Sequence, residues 1–267
     1  MVSLKWVISG LVCLSASFAS TLPAYAETLQ GNVQLDESLP SLDKSFAPGE
    51  IFDVAVTEKS KGTVTFYKIP TWMAGLWKSE KARTTSFLNY QGTSNVDLGE
   101  DYIARSVGRF GDILDRGGQI WNLSHVNYWS KTEYADHCGY SLVSDFAVVQ
   151  FSDKTCTTSD KSLVIMVDNA TGKIISTQQR ETVVFHQYQS PTIYKSTSTH
   201  KSFDWKGSPL CLVTNESYET RVAPFSNRAG EQVNGVKMSK LFADFLREKG
   251  LASLVPLDAK SLDALLR

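Results

Sequence analysis

The chain has 267 residues, 42% of them hydrophobic, enough for one large domain or two small ones around a sizeable core. Lys and Arg number 27 against 28 Asp and Glu, and this near-neutral balance gives no electrostatic reason to bind nucleic acid or an anionic membrane surface. Beyond the amino terminus no apolar run approaches the length of a membrane span, so the mature chain is expected to be soluble or peripherally attached, without a stable span.

Residues 1–26 read as a cleavable export signal. Lys5 provides a basic start, residues 6–18 are apolar or small, and Ala24-Tyr25-Ala26 forms a small-x-small cleavage site before Glu27. The run is short and Ser-containing for a span, so a secreted or periplasmic location is expected. Cleavage removes Lys5 alone among the charges and leaves about −2. It also removes Cys13, which follows Val12 rather than the small residue that lipid attachment needs. Residues 27–49 are polar, with Pro40, Pro48 and Gly49, and read as an extended arm or linker.

Residues 50–222 read as a β-domain. Residues 50–57 alternate weakly and suggest a first strand; Val64, Phe66, Tyr67 and Ile69 lead to Pro70. Residues 102–114 read as a strand turning at Gly117-Gly118. Residues 119–129 then alternate with Trp121, Leu123, His125, Asn127 and Trp129 on one face. Residues 140–151 alternate again, and residues 162–167 are continuously apolar. Asp168-Asn169-Ala170-Thr171-Gly172 is a hairpin connection, and strands over 173–189, 192–205 and 210–222 complete the series.

Consecutive strands without intervening helices predict an all-β antiparallel meander. So many strands must curl or close into a barrel to avoid two long open edges. Residues 223–267 read as a loop followed by helices packed on the barrel. Met238, Leu241, Phe242, Phe245 and Leu246 recur at helical spacing before Gly250, and residues 258–267 suggest a second short helix.

Gly75-Leu76-Trp77 follows a short lead-in and opens the strand-rich region. This triplet resembles the G-x-W signature of the lipocalins. The resemblance implies a lipocalin-like or broader calycin-like barrel whose first strand starts at Gly75. It also implies that Trp77 closes the base and that Arg221, ending the last strand, stacks on it. A generic β-barrel or sandwich is the alternative.

Cys138, Cys156 and Cys211 remain in the mature chain. In an oxidising compartment Cys138–Cys156 is the expected disulfide, closing a strand and its return and contributing about 3 kcal/mol in the chain-entropy model; three buried thiols are the alternative. Cys211 lies in an apolar stretch and reads as core.

The nucleotide-binding, zinc-protease and α/β-hydrolase motifs are absent, and His125, His137, His186 and His200 lack metal-ligand spacing, so no catalytic or metal residues are assigned. No cofactor is identified. Asp136-His137-Cys138 is the most reactive-looking string, but neighbours on a strand point apart. Sequons occur at Asn122, Asn169 and Asn215. The aromatic content favours an apolar small-molecule partner, a lipid or pigment, held by Trp121 and Trp129 with His125 and Asn127 as polar fixers. A filled interior is the competing expectation. Two further functional readings stand beside it: a barrel-mouth hydrolase, isomerase or lyase using Asp136, His137 or His125, and an envelope-associated protein whose arm binds a partner.

Overall fold

The computed structural model describes residues 33–59, 62–92, 99 and 101–256. The export signal and the second terminal helix expected over 258–267 lie outside the described residues. The alternating segments form an eight-stranded antiparallel sheet. Its strands are β2 (Gly75–Asn89), β3 (Asp101–Phe110), β6 (Tyr128–Glu133), β7 (His137–Phe151), β8 (Thr155–Asp168), β9 (Ile174–Ser190), β10 (Ile193–Phe203) and β11 (Pro209–Pro224). They run in the order β3-β2-β11-β10-β9-β8-β7-β6, a meander from β6 to β11 with β2 and β3 added beyond it. A second sheet joins β1 (Thr63–Lys68), β5 (Ile120–Val126) and β4 (Ile113–Leu114). The fold is all-β with a carboxy-terminal helix.

The main sheet curls strongly. Phe110 on β3 and His186 on β9 are four strands apart, about 19 Å in a flat sheet, yet their ring centroids are 5.8 Å apart. Among the described residues the sheet does not close strand to strand: β3 and β6 are its edges, and the architecture is a half-barrel. The small sheet packs against one end of it, where Tyr67 meets Phe146 with centroids 4.6 Å apart.

Local chemistry sets the turns. Asp168 Oδ1 accepts from the backbone N–H of Ala170 and Thr171 and from the Thr171 hydroxyl, which shapes the β8–β9 hairpin. The single strand expected over 119–129 is broken. Asn127 adopts a left-handed backbone, φ 55°, and there the chain leaves the small sheet for the main one. Residues 102–114 are likewise split between β3 and β4 at Gly111-Asp112. The strand expected over 50–57 is replaced by a single bridge at Ile51 and the short helix α1 (Ala55–Lys59).

The amino-terminal arm is not a free linker. Residues 33–52 lie along the outer, convex face of the sheet. Leu35 is buried against Val183 and Leu212, and Phe52 against Tyr140, Ile165 and Ile174. The Asp36 backbone N–H donates to Glu181, whose carboxylate also pairs with Lys161 at 2.7 Å, while Lys201 Nζ donates to the Asp36 carbonyl. The Leu39 N–H donates to the Gly207 carbonyl. A Cβ on Gly207 would lie 1.7 Å from the Leu39 carbonyl oxygen, so only glycine admits the arm at this crossing.

The terminal helix α2 (Met238–Glu248) docks on the small sheet rather than on the curled one. Met238, Phe242 and Leu246 are buried with Phe66, Ile113 and Trp121. The amphipathic spacing of the helix accounts for this, since a single apolar stripe needs a single apolar partner face.

Candidate functional site

The concave face of the half-barrel carries the main convergence of functional side chains. Cross-strand register aligns Phe146, Asp160, Thr182, His200, Val213 and Phe87 in one row across β7, β8, β9, β10, β11 and β2. A second row, two residues along, places Ser162, Arg180, Ser202 and Cys211 side by side. A third sets Thr158, Val184, Ser198 and Asn215 together. Apolar and polar groups thus interleave on one surface, and most of these residues are only partly buried.

One end of this surface is closed. Trp77 is buried with its ring 4.6 Å from Tyr194, and Tyr194 contacts His186 and Phe110. Arg221 lies over the Trp77 ring, its guanidinium carbon 4.2 Å from the centroid. Its nitrogens donate to the carbonyls of Trp72, Ala74 and Pro191. Trp77 Nε1 donates to the Met73 carbonyl at 2.8 Å, tying β2 to the 3-10 turn Thr71–Met73. At Gly75, φ 145°, a Cβ would stand 2.7 Å from both the Ala223 carbonyl and the Arg221 guanidinium. Gly75, Trp77 and Arg221 therefore form one contact unit at the base of the half-barrel.

Burial sets the titration of the concave groups. It pushes the Asp160 carboxyl up to about 6, against the opposing pull of the Thr182 hydrogen bond and of Arg180. It pulls His200 down to about 4, with Arg180 acting in the same direction. His186, buried and hydrogen-bonded to Ser196 at 2.9 Å, is also pulled down to about 4. Unfolded His186 takes its proton near pH 6.5, whereas the folded side chain resists it until about pH 4. Stability is therefore fully present above 6.5 and is lost as pH falls toward 4, by about 3 kcal/mol for this group. Asp160, raised on folding, acts in the opposite sense. The stability difference between the natural chain and His186→Asn, followed by urea unfolding, should shift by that amount across the window; a constant difference would show that His186 protonates freely in the fold.

The residues expected to hold a ligand are not brought together. Trp121 on β5 packs against Phe242 and Phe245 beneath α2 and borders an open groove of about 470 Å³ with Tyr67, Lys68 and Phe151. Trp129 on β6 joins Phe52 in a separate cluster. His125 contacts Tyr128, and Asn127 is the residue at which the sheets part. The break at Asn127 is the physical reason, because it ends the shared face.

The enzyme residues do not converge either. Asp136 bonds His137 at 2.6 Å in an exposed turn, where His137 stacks on Tyr134. His125 lies near Tyr128, which pairs with Val143, roughly 20 Å along β7 from His137. The Cys138–Cys156 disulfide is absent, and all three described cysteines are unbridged. Cys138 faces Val167 whereas Cys156 faces Phe151, so register holds them roughly 36 Å apart along β8. Burial pushes the Cys156 thiol up to about 12, making it inert. The Asn122 sequon is buried, with its amide bonded to Gly111, Tyr67 and Leu123, and is closed to glycosylation.

Asp160, Arg180 and His200 escaped sequence reasoning because each alternates with Ser, Thr or Val and resembles the solvent side of a strand. No known protein family model, curated protein or solved structure matches this chain.

Proposed function

We propose that this protein is an exported binding module that carries an apolar or amphipathic small molecule against the concave face of its half-barrel. The observation that carries the reading is the row from Phe146 through Asp160, Thr182, His200 and Val213 to Phe87, above an aromatic floor at Trp77 and Tyr194. Apolar side chains at Phe146, Val184, Val213 and Phe87 interleave there with placed polar groups, a combination that suits an amphipathic small molecule. His200 and Asp160 take the polar role first expected of His125 and Asn127. The Gly75, Trp77 and Arg221 unit supports a lipocalin-like kinship for this carrier. The leader-like residues 1–26 support work in the periplasm or outside the cell.

The test uses Nile red fluorescence on the full mature chain, with Val184→Trp as the blocked form. Val184 is half-buried at the centre of the concave face, so the indole occupies the space a ligand needs. Saturable one-to-one binding, lost in the variant with the fold intact by circular dichroism, supports the carrier. Equal dye binding by both proteins would place the dye elsewhere and overturn the reading.

A further inference from the structure

Arg180 occupies the middle of β9 on the concave face, in register with Ser162 and Ser202. Its Nε and Nη2 both donate to Oε1 of Gln178, at 3.2 and 2.8 Å. That contact uses one edge of the guanidinium. Among the described residues Nη1 donates to no partner and no carboxylate lies within ion-pair distance of Arg180. The charged and titratable groups facing it are Asp160 from β8, His200 from β10, Cys211 from β11 and Tyr134 from the β6–β7 turn. Asp160 stands one row away, beyond direct pairing, and is itself bonded to Thr182. A guanidinium partly withdrawn from water, with no anion paired to it, is less favourable than a solvated or paired one. The cost falls when an anion arrives from outside.

The geometry points to Arg180 as a headgroup site, taking the carboxylate of an amphipathic organic acid whose apolar tail lies along the concave face toward His186. The assignment rests on the carrier reading above. A planar guanidinium with its outer edge unspent matches a carboxylate through two parallel hydrogen bonds, a fit that a hydroxyl or an amine cannot reproduce. Ser162 and Ser202, flanking Arg180, supply further donors. The tail has room to extend: β9 runs about 20 Å from Arg180 to His186, passing Val184 and ending at the aromatic floor. Asp160 tunes the site. Its negative charge opposes the incoming acid, and its raised pKa removes that charge under mild acidity while the ligand stays ionised.

Titration calorimetry on the mature chain with laurate, lauryl alcohol and laurylamine tests this. Laurate should bind about tenfold tighter than the alcohol, and the amine more weakly than either. Arg180→Gln should bring laurate down to the affinity of the alcohol and leave the alcohol unchanged. In the natural chain the laurate preference should grow between about pH 7.5 and about pH 5.5, and Asp160→Asn should abolish that growth. This second comparison stands if the Arg180 variant fails to fold. Equal binding of acid and alcohol by the natural chain, or a preference intact in Arg180→Gln, overturns the headgroup assignment alone. A pH-dependent gain that persists in Asp160→Asn overturns the coupling of Asp160 to Arg180. Failure of all three ligands to bind overturns the carrier reading and this one with it.

Discussion

Arg221→Ala should lower the unfolding free energy by about 4 kcal/mol, as read from urea denaturation. The guanidinium does two things at once. Its face covers Trp77 at 4.2 Å, and its edge donates to the carbonyls of Trp72, Ala74 and Pro191. Those carbonyls belong to the 3-10 turn with the residue preceding β2, and to the β9–β10 connection, so one side chain on β11 pins two segments that are far apart in sequence. Alanine leaves the partly buried carbonyls of Trp72 and Ala74 without donors, each costing about 1–3 kcal/mol, and uncovers an indole. Arg221→Lys should recover little, because an ammonium is a point charge and cannot address three carbonyls in one plane while lying flat on a ring. A loss below about 1 kcal/mol for Arg221→Ala would mean that the base of the half-barrel is held by Trp77 and Tyr194 packing alone.

The grouping of this glycine, tryptophan and arginine was expected from the resemblance to the lipocalin G-x-W signature and not from the residue pattern, and each residue type has a separate physical task in it. Gly75 removes a Cβ that Ala223 and Arg221 would strike, Trp77 fills the base, and Arg221 covers it. The meander was legible, since strands over 140–151, 162–167, 173–189, 192–205 and 210–222 follow one another without a helix and turn at Asp168 and Gly172 as a hairpin requires.

What stayed hidden depends on registers and curvature. The face shared by Trp121, His125, Asn127 and Trp129 holds only if the strand continues, and nothing apolar or polar in the pattern marks the left-handed turn at Asn127. Asn is a residue type that tolerates that backbone, which is the signal available in hindsight. The cysteine pairing failed for a similar reason: two thiols at the same end of consecutive strands in sequence sit at opposite ends of the register. The concave site was missed because period-two alternation assumes one dry face and one wet face. Here the convex face is covered by the arm, so that Glu181 and Lys201 are buried beneath Asp36, and the concave face keeps Asp160, Arg180 and His200 among Ser, Thr and Val.

Phe242→Ala should cost about 4 kcal/mol, through a different part of the molecule. Phe242 is fully buried, its ring 5.0 Å from Phe66 and 5.5 Å from Trp121, so truncation opens a cavity between α2 and the small sheet. Trp121 sits at the wall of that cavity and is also tied through Nε1 to Asp115 at 3.0 Å. Its emission should therefore shift to longer wavelength in the variant, while Trp77, enclosed at the base, stays as it was. Among the described residues Phe242 and Arg221 share no partner: one cluster holds Phe66, Ile113 and Trp121, the other Trp77 and Tyr194. The double variant should then lose the sum of the two single losses to within about 0.5 kcal/mol. A larger departure would mean that the small sheet and the base of the half-barrel are coupled. The route would run through Tyr67 and Phe146, since Tyr67 belongs to the strand beneath α2 and Phe146 to the row it shares with Asp160 on the concave face. Loss of Phe242 would in that case also weaken the binding proposed for the concave face, where additivity predicts unchanged affinity.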